Sequence, residues 1–351
     1  MAKVLIVDDS VFMRTVIRDM LQKDPTLEIV GTASNGVEAM EKISILKPDL
    51  VTLDIEMPKM NGLDVLRELK NAAWHPKTLI LSSLTSKGAE MTTDAIRLGA
   101  DDFMLKPKDI PQLRLVADEL IATIHHLTTA PLTPPSREEV SRDQSKGKSA
   151  EQVVLIGSSA GGPPMLDVLL SKLPGDLPAG FVITQHMPIG FTAPLAARFN
   201  HIGHMPVKET ENGDMLKTGT VLVSKAGVHT MISAAMTPDG KRTGRIIHSN
   251  APMVHGVRPA VDKTFESAAQ VFGKNTVAVI LSGMGNDAGA GASAIKQAGG
   301  TCIICDQKDC LVYGMARSAI QKNAVDKVLP LAKIPDEVER IVMQIAEDSH
   351  V

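Results

Sequence analysis

Aromatic side chains are scarce in this chain: one Trp, one Tyr and seven Phe, 3% of 351 residues. That leaves few rings to stack on bases, and a formal charge of −3 gives no strongly basic surface for a phosphate backbone. Both features count against a nucleic-acid binder. No apolar run approaches the roughly 20 residues of a membrane span, so no membrane insertion is expected. Residues 1–9 hold a short apolar stretch stopped by Asp8 and Asp9, unlike a signal peptide. Cysteine is also rare: Cys302, Cys305 and Cys310. An odd, clustered count builds no disulfide framework and fits a reducing cytoplasm. Cys302-x-x-Cys305 has the spacing of half a zinc or redox site, but there is no second pair. Residues 301–305 read instead as a buried strand that carries two thiols.

What the chain does have is alternation. Apolar runs at 3–7, 27–33, 50–53, 78–81 and 103–105 read as strands, with helical stretches between them. Ser10 is placed to cap a helix over 10–23 and Asn35 one through 46, and a helix over 110–127 closes the series. Wholly apolar strands belong to a parallel sheet covered on both faces. Five βα units therefore predict a doubly wound α/β domain over 1–127. Asp8, Asp9, Asp54, Ser82 and Lys106 all fall at the C-terminal ends of these strands. That edge is where open α/β sheets bind ligands. Three carboxylates converging there would repel one another without a cation, and a hard, oxygen-seeking Mg²⁺ suits them. Lys106 adds a fixed positive charge, so the edge suits a phosphoryl group on a carboxylate. Helix capping alone could explain Asp8 and Asp9, but not five matched strand ends.

Residues 128–150 contain Pro131, Pro134 and Pro135, then a charged, Ser-rich stretch. They read as a flexible linker with a stiffer proline segment. From 151 to 351 a second, mostly parallel α/β domain is expected. Its strands are placed at 153–156, 181–184, 221–223, 231–232, 245–248, 277–281, 301–305 and 326–329, and its helices at 163–173, 288–298 and 335–346. The first strand runs into Gly157-Ser158-Ser159-Ala160-Gly161-Gly162. This fits G-x-S-x-G with Ser159 at the centre, although an ordinary strand-to-helix turn or a phosphate loop fits it too. Ser159, His186 and Asp287 each follow an apolar strand, so they should share one sheet edge. A serine hydroxyl needs a base, and the base an orienting carboxylate; all three are available there. His255 is the rival base, ranked lower because no apolar strand precedes it. His201 and His204 have metal-pair spacing but no third ligand, and are taken as surface residues.

With Asp8-Asp9, Leu53-Asp54-Ile55-Glu56-Met57-Pro58-Lys59-Met60-Asn61-Gly62, Ser82 and Lys106-Pro107, residues 1–127 resemble a response-regulator receiver domain, a flavodoxin-like fold. The resemblance implies that Asp54 accepts phosphate from a histidine kinase. It makes Asp8, Asp9 and Asp54 ligands of Mg²⁺, and Ser82, Phe103 and Lys106 switch residues. In the second half the order Ser…His…Asp differs from the Ser…Asp…His of α/β-hydrolases. Together with Gln185-His186-Met187-Pro188 and Gly283-Met284-Gly285-Asn286-Asp287, it resembles the chemotaxis protein-glutamate methylesterase family. That family joins a receiver, through a linker, to a serine-esterase domain. The resemblance implies Ser159 as nucleophile, His186 as general base and Asp287 as its partner, with no cofactor for the esterase reaction. It implies methyl-esterified glutamates of chemoreceptor cytoplasmic helices as substrate, and glutamine deamidation as a second activity. Backbone N–H groups of Ala160, Gly161 and Met284 are candidate oxyanion donors. Two departures stand out: Ala260 replaces a usual Ser, and Ser158-Ser159-Ala160 replaces the more frequent Ala-Ser-Thr. A DNA-binding output would need a basic recognition helix in the second half, and none is seen. A nucleotide site built on Gly283-x-Gly285 and Gly289-x-Gly291 lacks the acidic residue about 20 positions on.

Overall fold

The computed structural model describes residues 1–72, 74–106, 113–129, 148–237 and 240–348; most of the expected linker lies outside them. The chain divides into two compact units, Met1–Thr133 and Pro134–Val351. The first runs β1(Ala2–Val7), α1(Val11–Leu21), β2(Leu27–Ala33), α2(Gly36–Leu46), β3(Leu50–Asp54), α3(Gly62–Lys70), β4(Lys77–Ser82), α4(Ser86–Leu98), β5(Asp102–Leu105), α5(Leu113–Thr129). Its sheet has the order β2-β1-β3-β4-β5 and is parallel throughout.

The local chemistry explains these boundaries. Ser10 Oγ accepts from Met13 N at 3.3 Å, and Asn35 Oδ1 accepts from Glu38 N at 3.2 Å. Glu38 reaches back to accept from Ser34 N at 2.8 Å, closing a capping box one residue upstream of its usual place. Val4, Ile6, Leu50 and Leu79 pack on one face against Ile17 and Leu21 of α1 and Ala117, Leu120 and Ile124 of α5. The winding reverses between β1 and β3, which puts the ends of those two strands at the ligand-binding crevice.

The second unit runs β6(Val153–Ser158), α6(Gly162–Lys172), β7(Gly180–Gln185), α7(Thr192–Ile202), β8(Val207–Glu209), β9(Thr220–Val223), β10(His229–Met236), β11(Arg242–Ser249), α8(Val261–Phe272), β12(Thr276–Ile280), α9(Gly289–Gln297), β13(Thr301–Cys305), α10(Gly314–Gln321), β14(Lys327–Leu329), α11(Ile334–Asp348). Seven parallel strands take the order β14-β13-β12-β6-β7-β9-β8. Strands after β6 extend the sheet one way as far as β8, and β12 to β14 extend it the other way. The winding reverses at β6, whose end carries Ser159.

The runs expected at 231–232 and 245–248 do not join this sheet. They are the centre of an antiparallel hairpin, β10–β11, in which Ile232 pairs with Ile246. Both strands alternate buried and exposed residues, as a one-sided hairpin does. Helix α8 fills the core beneath: Val261, Phe265, Ala268, Ala269 and Phe272 pack with Leu155, Val182, Ala278 and Ile280. Residues 148–150, expected in the linker, are bonded into this unit. Thr218 N donates to Lys148 O at 2.8 Å and Ala150 N to Leu216 O at 3.0 Å. At the other end of the expected linker, residues 128 and 129 continue α5. Among the described residues no helix is long and apolar enough to cross a membrane.

Candidate active site

In the first unit, β1 ends at Val7 and delivers Asp8 and Asp9, and β3 ends on Asp54. Carboxylate oxygens of the three lie within 4.8 Å of one another. Lys106, next to β5, holds its Nζ 2.8 Å from Asp8 Oδ2 and 2.8 Å from Asp54 Oδ2. Burial pushes the Asp54 carboxyl up to about 6; the Lys106 ammonium opposes this and the charges of Asp8 and Asp9 add to it. Asp8 Oδ2 is buried, with the Lys106 ammonium as its charged neighbour. Oxygen donors and crowded negative charge fit a hard divalent cation. Ser82 is buried and turned towards α4: its hydroxyl donates to Gly88 O at 3.2 Å and meets Thr92 Oγ1 at 2.8 Å. Phe103 is buried in β5.

In the second unit the turn after β6 separates its two serines. Ser158, last in the strand, is fully buried, and its hydroxyl donates to Gln185 Oε1 at 2.6 Å. Ser159, one residue on, is half-buried in the turn. Its N–H donates to Ser282 O at 2.9 Å, and its carbonyl accepts from Gly162 N at 2.9 Å. Gly161 takes φ 75°, a left-handed conformation that admits the chain to α6. A Cβ there would lie 2.7 Å from Leu311 Cβ and 3.0 Å from Ser282 Oγ. Gly283 faces the turn from the next strand: a Cβ on it would collide with Met315 Sδ and sit 3.1 Å from Ser159 Cβ.

His186 follows β7, with its N–H on Ser158 O at 3.0 Å. Its Nε2 lies 2.7 Å from Asp287 Oδ2. Asp287 is buried and takes three backbone donors: Val261 N on Oδ2 at 2.7 Å, and Asp262 N and Ala288 N on Oδ1, both at 2.9 Å. Two of these are the first N–H groups of α8, whose N-cap, Ala260, offers no side-chain cap. The carboxylate serves as that cap, and the helix end favours its charge. Burial alone would raise the Asp287 pKa. The His186 ring and the Asp262 and Val261 N–H groups outweigh burial and hold it below the usual carboxylate range.

His255, the rival base, bonds elsewhere: its Nε2 is 3.1 Å from Asp262 Oδ2. Burial and the nearby Asp287 charge raise the Asp262 pKa, with Gly291 N–H and His255 opposing. His201 and His204 are exposed and belong to no metal-type cluster among the described residues. The glycines of the nucleotide reading serve close packing: Gly291 lies against Phe265 and Asp262, and Gly289 against Ser318. Of the oxyanion candidates, Ala160 and Met284 adjoin N–H groups already engaged, those of Ser159 and Gly283. Gly161 sits between Ala160 and the helix start.

Gln185, within Gln185-His186-Met187-Pro188, has no role of its own expected from the sequence. Its Nε2 donates to Ser159 O at 2.9 Å and to His186 O at 3.0 Å, while Oε1 holds Ser158. Ser282 is a second unanticipated brace, donating to Ala160 O at 2.7 Å. Nothing in the periodicity marks either residue. Only their places at strand ends could have drawn attention.

This is a two-domain response regulator whose output half is an α/β domain with a serine, a histidine and an aspartate along one sheet edge. Residues 4–118 match the response regulator receiver domain family, and residues 154–338 match the CheB methylesterase family. The protein-glutamate methylesterase/protein-glutamine glutaminase 1 of Methanospirillum hungatei is 57% identical over 345 residues, 96% of this chain and 97% of that protein. The protein-glutamate methylesterase/protein-glutamine glutaminase of Thermotoga maritima is 40% identical over 346 residues, 97% of this chain and 98% of that protein. The crystal structure of the Thermotoga maritima CheB methylesterase catalytic domain is 39% identical and superposes with a TM-score of 0.52, covering 55% of this chain and 100% of that one. The chain belongs to the CheB family of protein-glutamate methylesterases/protein-glutamine glutaminases, which carry an N-terminal receiver and act in chemotaxis.

Proposed function

We propose that Ser159, His186 and Asp287 carry out hydrolysis of glutamate methyl esters, and of glutamine side-chain amides, on chemoreceptor cytoplasmic helices. The observation that carries this reading is the 2.7 Å contact of His186 Nε2 with a buried Asp287 held by three backbone N–H groups. An ionised Asp287 can only accept, so Nε2 carries the proton and Nδ1 is the basic nitrogen. Nδ1 takes the Ser159 proton as Oγ attacks the ester carbonyl. Charge then develops on the carbonyl oxygen, and the Ala160, Gly161 and Met284 N–H groups are the candidate donors to it. His186 returns its proton to the leaving methoxide, or to the leaving amine of a glutamine substrate. A water that gives its proton to His186 then attacks the acyl-serine, releasing the glutamate and restoring Ser159. Ser158 has no part in this, since its hydroxyl is buried on Gln185.

In the receiver, Asp54 is the phosphoacceptor for a chemotaxis histidine kinase. Asp8, Asp9 and Asp54 would hold Mg²⁺, which when bound neutralises charge on the incoming phosphoryl oxygens. The Lys106 ammonium, already between Asp8 and Asp54, pairs with the new phosphoryl group. The Ser82 hydroxyl leaves Gly88 and Thr92 to meet it, and Phe103 follows on the same side.

The test uses methyl-labelled receptor membranes and release of methanol by the full chain. Ser159→Ala should abolish release, and Ser158→Ala should keep it within about tenfold. Loss in Ser158→Ala alone would overturn the nucleophile assignment.

A further inference from the structure

Helix α8 begins at the aspartate. Its first two N–H groups, of Val261 and Asp262, donate to Asp287 at 2.7 and 2.9 Å. The N–H just before them, on the N-cap Ala260, goes elsewhere: it donates to His229 Nδ1 at 3.2 Å. His229 opens β10 and is fully buried. Its other ring nitrogen, Nε2, lies 3.0 Å from Pro252 O. These two partners decide the tautomer. A backbone N–H can only donate, so Nδ1 is bare. A carbonyl can only accept, so Nε2 carries the proton.

The rest of β10 follows the same helix. Thr264 Oγ1 donates to Thr230 O at 2.8 Å, and Ile232 N donates to Ser267 Oγ at 2.9 Å. Strand β10 is thus tied to α8 at residues 260, 264 and 267, which lie along one face of the helix. The tie at Ala260 is the one beside Asp287. By gripping Pro252 and Ala260 with one ring, His229 also closes the loop that carries the chain from β11 into α8.

We propose that His229 is a positioning residue for the hydrolysis: its ring fixes where α8 begins, and with it the grip of that helix on Asp287 and the contact of Asp287 with His186. Both ring nitrogens are spent on backbone groups, so His229 acts through Asp287 and not on the substrate. Without the Nδ1 acceptor, the Ala260 N–H is a buried donor left unpaired. The first turn of α8 then shifts to find an acceptor, and the N–H groups on Asp287 shift with it. A displacement on the order of 1 Å costs roughly 10²-fold in rate. The effect on turnover rests on the reading of Ser159, His186 and Asp287 as the reacting groups; the tautomer of His229 and its hold on Asp287 do not.

The experiment compares two replacements of one shape. Leu and Asn branch alike at Cγ, so His229→Leu and His229→Asn leave the same space. Only Asn puts an oxygen, Oδ1, where Nδ1 stood. A packing role alone would affect both alike. Full-length parent and variants are assayed for methanol release from methyl-labelled receptor membranes, and the same chains, labelled with ¹⁵N-histidine, are followed by NMR. His229→Leu should lower kcat at least about tenfold below His229→Asn, with KM within about threefold of the parent. The Nε2 proton of His186, held on Asp287, should move in the Leu protein and return to its parent position in the Asn protein. In the parent, His229 should show a protonated Nε2 and a bare Nδ1. Equal kcat in the two variants would overturn the proposal, as would a proton on His229 Nδ1 or an unmoved His186 proton in a slow Leu protein. Should the Leu protein fail to fold, the Asn protein decides: a kcat within about tenfold of the parent upholds the proposal and a larger fall overturns it. Methanol release that survives Ser159→Ala would sink the hydrolase reading, and the His186 proton would then judge the hold of His229 on Asp287 by itself.

Discussion

Replacing Gln185 by Met keeps the side chain's length and removes all three of its hydrogen bonds. The Ser158 hydroxyl, fully buried, is then left without the acceptor it holds at 2.6 Å. An unsatisfied buried group costs about 1–3 kcal/mol. The Ser159 and His186 carbonyls, now at 2.9 and 3.0 Å from Gln185 Nε2, are half-buried, so water can replace part of the loss. At about 0.5–1 kcal/mol each, the total loss is about 2–5 kcal/mol. For a unit of this size that lowers the midpoint of thermal unfolding by roughly 4–20 °C. The rate should suffer separately. Both carbonyls belong to residues we propose to carry the reacting groups, and loosening them by about 1 Å corresponds to roughly a 10²-fold fall in kcat. Methanol release and thermal unfolding measure the two effects independently. Adding Ser158→Ala to Gln185→Met removes the orphaned hydroxyl. It should recover about 1 kcal/mol of stability as a coupling energy and none of the rate. A Gln185→Met protein with the parent kcat would refute the idea that this amide aligns the site. A coupling near zero would refute the assignment of the stability cost to Ser158.

Asp287→Asn should lower kcat by roughly 10³–10⁴, because an amide facing His186 imposes the wrong ring tautomer; a rate within tenfold of the parent would remove Asp287 from the reaction. The same change should cost stability at neutral pH. The folded Asp287 pKa lies below its unfolded value of about 3.9, so its contribution is present above that pH and lost as the pH falls through the folded value. Denaturant unfolding of parent and variant should accordingly converge as the pH falls through the folded value. Asp262→Asn should act in the opposite sense. Its folded pKa is raised, so the folded state keeps a proton the unfolded chain has released, and stability falls as the pH rises from about 4 through the folded value. The Asn protein should lack that slope in a thermal-unfolding series, and an unchanged slope would contradict the direction given. Asp54→Asn should keep basal hydrolysis and lose the response to a small-molecule phosphodonor with Mg²⁺; a persisting response moves the phosphosite elsewhere.

What could be read without coordinates was what sits at strand ends. Asp8, Asp54 and Lys106 follow apolar runs of a parallel sheet, and the fold brings their charged groups within 2.8 Å. His186 and Asp287 were legible for the same reason. Helix α8 carries a periodic signal of its own: residues 261, 265, 268, 269 and 272 are apolar at helical spacing and all buried. The hairpin β10–β11 shows a real ambiguity. Short apolar runs announce strands but not which sheet they join, because pairing is set by partners far away in sequence. The same holds for the braces. Ser282 reaches Ala160 across 122 positions and Gln185 reaches Ser159 across 26, and no local pattern encodes either bond.

The sheet order explains why those braces are needed. Strand β6, which carries Ser159, lies between β7 and β12, from which His186 and Asp287 depart. The imidazole and the carboxylate therefore come from opposite sides of the serine's own strand and meet at its end. Two strands a full sheet step apart on either side, roughly 10 Å between them, cannot close a 2.7 Å contact at the level of the sheet. The chain must first rise above it. On the His186 side no loop intervenes, since the ring directly follows Gln185, the last residue of β7. The reach falls to residues 281–286 on the other side, and two anchors fix their course. One is the start of α8, whose N–H groups grip Asp287; the other is Val312, which holds Ser282 and Gly283 from the loop after β13. A perturbation of α8 should act through the His–Asp contact, while one in residues 306–312 should act through Ser159 and the donors beside it. The two are separable by experiment. The first should change the pH dependence of turnover, and the second should lower kcat at every pH.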